Sequence, residues 1–188
     1  MATNKKPYIK KQLQERLLEA LETERAGIKI YEAALVCAIN MNLRSEWGEY
    51  LKQTRSHEHV LLTVFEEMGL DPDTKNLCRD EVTRIGDSLV SIMLMAKANG
   101  TAETAQLVAG ECVVLAETKN NQNWELIGHL AEHGKGQETN ALKIAFRLVE
   151  QAEERHLYHT KSFVRELWVE SFSFPAVLPP SVEMLRAS

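Results

Sequence analysis

At 100° per residue, three stretches of the chain carry a one-sided apolar stripe of helical period. From about Ile9 to Asn40 the stripe is Leu13, Leu17, Leu21, Ile28, Tyr31, Leu35 and Ala38. From about Leu43 to Gly69 it is Trp47, Tyr50, Leu51, Leu61, Val64, Phe65 and Met68, and Gly69 with Asp71-Pro72 marks a stop. From about Glu138 to Ser171 it is Leu142, Ala145, Val149, Ala152, Phe163, Val164 and Leu167. A fourth stretch, about Thr101 to His133, is so rich in apolar residues that its stripe is ambiguous, and Gly134 and Gly136 close it. Between the second and fourth lies a segment of about thirty residues with a shorter helix from about Arg79 to Ala98, ending at Asn99-Gly100. Helix is permitted across most of the chain, because prolines occur only at Pro7, Pro72, Pro175, Pro179 and Pro180. Period-two alternation of β-branched residues is absent, so strands have little support.

Loop lengths turn these elements into a topology. The short connections near Met41 and Lys135 make two antiparallel hairpins, and the long middle segment can travel the length of a bundle between them. The expected fold is all-α: a four-helix bundle of two antiparallel hairpins joined by a crossover, although a fifth packed helix would also account for the thirty residues. Residues 1–171 are expected to form one helical domain, with the proline-containing stretch 172–188 as a tail packing extended across the bundle or a partner.

Composition narrows the function classes. At 188 residues and 44% hydrophobic, the chain can bury one core without a second domain. A formal net charge of −5 supplies no basic field for a phosphate backbone, so nucleic acid is not an expected partner. The three cysteines Cys37, Cys78 and Cys112 are odd in number and lack CxxC spacing, which fits a reducing cytoplasm better than a disulfide framework. No leader pattern opens the sequence and no apolar run approaches the roughly 20 residues of a membrane helix, so a soluble, unprocessed protein is expected.

The stripes also contain ionisable residues. Glu24 lies inside the first; Glu153, His156 and Thr160 occupy the centre of the last; on the second, Thr54 is inside, His57 and Glu58 lie on the shoulders, and His59 points away. Depth is a separate test. Glu24 is about 17 residues before the first turn and His57 about 16 after it, while Glu117 and Glu153 each stand about 18 from the second turn. Glu111 is a rival to Glu117 but stands about 24 residues from that turn, more than one helical turn out of level.

Isolated charges in a core are costly and must be neutralised, paired or coordinated. Carboxylates mixed with imidazole suit iron or manganese, with zinc a third candidate, and the Glu153-x-x-His156 spacing lets both side chains reach one centre. The alternative is a hydrogen-bonded polar cluster with no metal. His129 and His133, at i, i+4 spacing, could bind zinc, but Gly134 follows directly and their phase points away from Glu117; they read as a solvated helix end. His159 is placed at the edge of the bundle, Met93 and Met95 fill apolar gaps, and Cys37 lies outside its helix's stripe, against a neighbouring subunit or exposed. No GxSxG motif supports nucleophilic catalysis, and Cys112 has no evident histidine base.

The spacing of Glu24 and Tyr31 in ETERAGIKIY, Glu117 and Trp124 in ETKNNQNW, Glu153-x-x-His156, and the stretch QTRSHEHVLLTVFEEMGL together resemble the ferritin-like superfamily, within it the rubrerythrin-like and small stress-associated bacterial members. The resemblance spans about Ile9 to Glu170. It implies a di-iron or di-manganese carboxylate centre, with Glu24 and Glu117 from the first and fourth helices and a Glu-x-x-His pair from each of the others. Metal oxidation or chemistry on dioxygen or peroxide would follow, with Tyr31 as a nearby hydrogen-bond or electron donor and metal ions and small oxidants as partners. The pattern departs at Thr54, where a carboxylate is wanted three residues before His57; pairing His59 instead would place Ser56 there. Glu58 swinging in, a single bound ion, or a metal-free stress-response or interaction module are the open alternatives. A homodimer through apolar outer faces is expected over a large cage.

Overall fold

The computed structural model describes residues 6–7, 10–136 and 138–180. Five helices account for nearly all of it: α1 (Lys10–Cys37), α2 (Met41–Met68), α3 (Leu77–Asn99), α4 (Ala102–His133) and α5 (Glu138–Ser171). The only strand-like feature among the described residues is a two-residue parallel pairing of Lys6–Pro7 with Gly134–Lys135. The predicted helices are all present. Ile9, the expected start of the first, lies outside the described residues, as does the tail beyond residue 180.

Capping sets the boundaries. The first helix ends at Cys37 and not at Asn40, because the Asn40 side chain accepts hydrogen bonds from the Asn42 and Leu43 amides at 3.0 and 3.1 Å and so opens α2. The Gln106 side-chain oxygen accepts from the Ile39 and Asn40 amides at 2.9 and 2.6 Å, tying this turn to the start of α4. Gly69 closes α2 with φ 62°, a left-handed conformation that favours glycine. Asn76 and Thr101 cap α3 and α4, accepting from Arg79 N at 2.9 Å and Thr104 N at 3.1 Å.

Side-chain pairs give the direction of every helix. Arg25 meets Glu58 and Arg55 meets Glu32, so α1 and α2 are antiparallel. Tyr50 meets His159 and His57 meets Glu153, so α2 and α5 are antiparallel. Trp168 meets Glu111 and Asn120 meets Glu153, so α4 and α5 are antiparallel as well. Gln106 sits at Ile39 and Trp124 at Glu24, which closes the ring with α1 and α4 antiparallel. Since α2 ends where α1 begins and α4 starts where α1 ends, the chain must be carried back up the bundle. Helix α3 does this alongside α1, with Arg79 on Glu22, Asp87 on Lys29 and the Met93 carbonyl on the Cys37 thiol. Its 23 residues span about 34 Å. The crossover is therefore a fifth packed helix.

The α1–α3 contact is close. A Cβ on Gly86 would stand 2.7 Å from Ala26 Cβ, an atom with no rotamer to escape through. Gly86→Ala is expected to destabilise by about 1–2 kcal/mol despite the helix propensity gained, read as a lowered urea midpoint with unchanged slope.

The core has two apolar halves. One is built from Leu13 to Leu21, Leu61 to Phe65, Trp124 to Ala131 and Ala141 to Val149; the other from Ala26 to Ala38, Leu43 to Leu51, the inner face of α3, Ala105 to Val113, Phe163 and Leu167. A buried polar layer separates them at mid-height. Beyond α5 the tail turns back, with Val177 N donating to Glu166 Oε2 at 2.9 Å and Leu178 against the second half. Cys37 is fully buried within the chain, correcting its placement at a subunit face or in solvent: the thiol packs under α3, an element that the stripe of α1 alone does not reveal. Among the described residues, no helix is long and apolar enough to cross a membrane.

Candidate metal centre

The polar layer brings together Glu24 from α1, His57 from α2, Glu117 from α4, and Glu153 and His156 from α5, none more than 4% exposed. The i, i+3 spacing puts Glu153 and His156 on one face of α5, and the antiparallel packing of neighbouring helices in the ring brings the rest to the same height. His57 Nδ1 and Glu153 Oε1 are 2.6 Å apart. His156 Nδ1 stands 3.8 Å from both Glu117 Oε2 and Glu153 Oε1.

Two groups of donor atoms result, Glu24 with His57 and Glu153, and Glu117 with Glu153 and His156, in each of which all the atoms lie within 4.8 Å of one another. Glu153 belongs to both. Two donors bound at about 2.1 Å to one ion stand about 3–4 Å apart; the 3.8 Å separations of His156 Nδ1 from Glu117 and Glu153 match that spacing, while His57 and Glu153 at 2.6 Å share a hydrogen bond that an ion would replace. The donors also have spare capacity. Glu24 Oε2 and His156 Nδ1 are buried with no hydrogen-bond partner, as are Asn120 Oδ1 and Thr160 Oγ1, and the Tyr31 hydroxyl faces the Glu117 carboxylate as a donor. Buried atoms of this kind are rare in folded proteins and here they converge from three helices. The residues therefore fit a divalent cation.

Electrostatics point the same way. Burial, reinforced by the Glu153 carboxylate, pushes the Glu24 and Glu117 carboxyls well above the usual carboxylate range, and burial raises Glu153 too, against the Asn120 amide that favours its ionised form. Burial pushes His57 down and takes His156 down to about 3. Without a cation the layer is a set of protonated acids and neutral imidazoles; a cation replaces those protons. Burial and the nearby Glu117 carboxylate also raise the Tyr31 phenol, so it stays a neutral hydroxyl.

The alternatives left open by the sequence separate clearly. Glu111 is exposed and accepts from Trp168 Nε1 at 3.0 Å, outside the layer. His59 is exposed. Glu58 is held by Arg25 at 3.0 Å and does not enter the layer. Thr54 is buried in the layer, its hydroxyl donating to the Tyr50 carbonyl at 2.9 Å, and contributes no charge. His159 is buried, not at the edge, with Nδ1 against both Tyr50 Oη at 3.1 Å and the Glu46 carboxylate.

Two amides were missed. Asn120 Nδ2 donates to Glu24 Oε1 at 3.2 Å and Glu153 Oε2 at 2.7 Å, clamping acids from two helices, and Trp124 Nε1 adds a bond to Glu24 Oε1 at 2.7 Å. Gln53 Oε1 lies 2.7 Å from His156 Nε2; a carboxamide oxygen only accepts, so Nε2 carries the proton and Nδ1 presents its lone pair to the acids. Asn120 follows Glu117 by three residues and so shares its face, the one signal available from sequence. Asn120→Leu is expected to keep the fold while lowering metal affinity by about 10–100-fold, measured by competition with a chromogenic chelator.

Comparison with known proteins adds no assignment: no family model matches the chain, and neither the curated proteins nor the solved structures contain a match.

Proposed function

We propose that the chain is a ferritin-like metalloprotein whose buried layer would hold two divalent ions, iron or manganese, with Glu153 common to both donor groups. The observation that carries this reading is the pair of donor groups sharing Glu153, each with two carboxylates and one imidazole. The ferritin-like assignment is supported by two antiparallel helical hairpins joined by a chain-reversing helix, with the polar layer at mid-height in the ring. Glu24 and His57 would hold one ion and Glu117 and His156 the other, Asn120 orienting the shared carboxylate and Gln53 setting the His156 tautomer. Iron or manganese bound there would supply redox chemistry on dioxygen or peroxide. The apolar halves above and below exclude water, and the neutral Tyr31 hydroxyl lies on the Glu117 side, where it can donate a hydrogen bond.

Thr54 limits the charge available. Three carboxylates leave one positive charge uncompensated against two divalent ions, so the second ion binds more weakly than the first. The same deficit, with the hydrogen bonds that already join His57 to Glu153 and Asn120 to both acids, favours the second reading: a metal-free helical module for stress response or protein interaction.

Metal analysis of tag-free protein separates the two. About one or two iron or manganese ions per chain with oxidant-dependent absorbance is expected; less than about a tenth of an ion, with no such absorbance, would establish the metal-free reading.

A further inference from the structure

The last turn of α4 carries a second pair of imidazoles, far from the buried layer. His129 and His133 are both exposed, and their rings stack with centroids 4.1 Å apart and planes 23° from parallel. The two side chains lie against each other on one face of the helix. His133 Nδ1 lies 2.9 Å from the His129 carbonyl oxygen and 3.9 Å from Glu132 Oε2. Both neighbours only accept, so Nδ1 is the donor and Nε2 of the neutral ring carries the lone pair. A ring whose tautomer is fixed by a backbone carbonyl is arranged as metal-ligating histidines commonly are. The position also favours a cation, since the carbonyl end of a helix carries partial negative charge.

We propose that His129 and His133 form a surface chelate for one divalent transition-metal ion of the zinc or copper class. Imidazole nitrogens at i and i+4 lie on one helix face, within reach of one ion, and binding would turn the rings out of their stacked contact so that both lone pairs meet it. Glu125, one turn before His129, and Glu132 line a groove beside His129, and Lys143 and Arg147 face it from α5; the two imidazoles are the site's own ligands, and solvent takes the remaining coordination positions. With two cations opposite two carboxylates, charge alone does not gather ions. The imidazoles set the choice, so hard ions such as magnesium and calcium are not retained. The site uses no residue of the buried layer and stands whether or not that layer holds metal.

The test is zinc calorimetry on the full-length, tag-free chain carrying Glu153→Gln, which removes the bridging ligand of the layer, with wild-type protein in parallel. One zinc ion per chain at about micromolar affinity is expected, weakened at least about tenfold by His129→Ala and by His133→Ala alone. His133→Lys, which restores positive charge at the helix end, does not rescue it. In the wild-type chain, substoichiometric copper(II) broadens the ring proton signals of both histidines before any others on the surface. Zinc binding unchanged in either alanine variant, or equal retention of magnesium, would overturn the proposal.

Discussion

Glu153→Gln is expected to abolish metal binding at both positions, a loss no other single substitution in the layer should match. Glu153 is the residue common to the two donor groups: its Oε1 faces both His57 and His156, while Oε2 accepts from Asn120. The amide keeps the size of the side chain but offers one weak acceptor in place of a charged bridge. Metal content should fall from the wild-type level of about one or two ions per chain to below about a tenth. Glu24→Gln and Glu117→Gln, each belonging to one group, should each retain about one ion. The fold is expected to survive, because a neutral Gln fits a site where burial already favours the protonated acid. Far-ultraviolet circular dichroism and size-exclusion elution unchanged from wild type check that part. Equal metal loss from all three variants would argue against a bridge; full retention in Glu153→Gln would exclude Glu153 as a ligand.

The second large effect is a reversal in how stability depends on pH when metal is removed. Glu24, Glu117 and Glu153 have folded pKa values raised above the usual 4.5, so from that pH upward the folded protein holds protons that the unfolded chain has released, and stability falls as pH rises toward the folded values. His57 and His156 act oppositely: their folded pKa values are lowered from 6.5, to about 3 for His156, so their contribution is complete above about pH 6.5 and is lost as pH falls. Between about pH 4.5 and 6.5 the two sets oppose each other; above it only the acids remain. In chelator, the melting temperature should therefore fall from pH 6.5 to 9, each acid contributing a slope of at most about 1.4 kcal/mol per pH unit. With manganese or iron(II) present the slope should reverse, since binding expels those protons and tightens as pH rises. Calorimetric scans at matched ionic strength measure both profiles. A metal-loaded protein following the same curve as the stripped one would contradict the assignment of these acids as ligands.

Much of this site could be read before any coordinates, and the reason is geometric. A helix is a ruler with a fixed rise and a fixed turn, so phase placed Glu24, Glu153 and His156 on inward faces, and residue counts from the two hairpin turns placed Glu117 level with Glu153 and left Glu111 a turn away. The five helices followed from sparse prolines and clear stops. What stayed hidden was set by relations between helices. Cys37 is outside the stripe of α1 because α3, not the four-helix ring, covers that side. His159 is buried because Tyr50 and Glu46 of α2 close over it. Asn120 and Gln53 are amides, a residue type that usually faces water, and only their partners on other helices give them a role. The stacking of His129 on His133 depends on side-chain rotamers that spacing does not specify.

Acids and imidazoles from four separate helices converge at mid-height, and on the proposed reading they hold cations. Crystals soaked in manganese and measured for anomalous scattering test it most directly. Two peaks within the bundle, flanking the Glu153 carboxylate about 3.5–4 Å apart, are the expected result. An intact bundle with no anomalous peak among Glu24, His57, Glu117, Glu153 and His156 would contradict it.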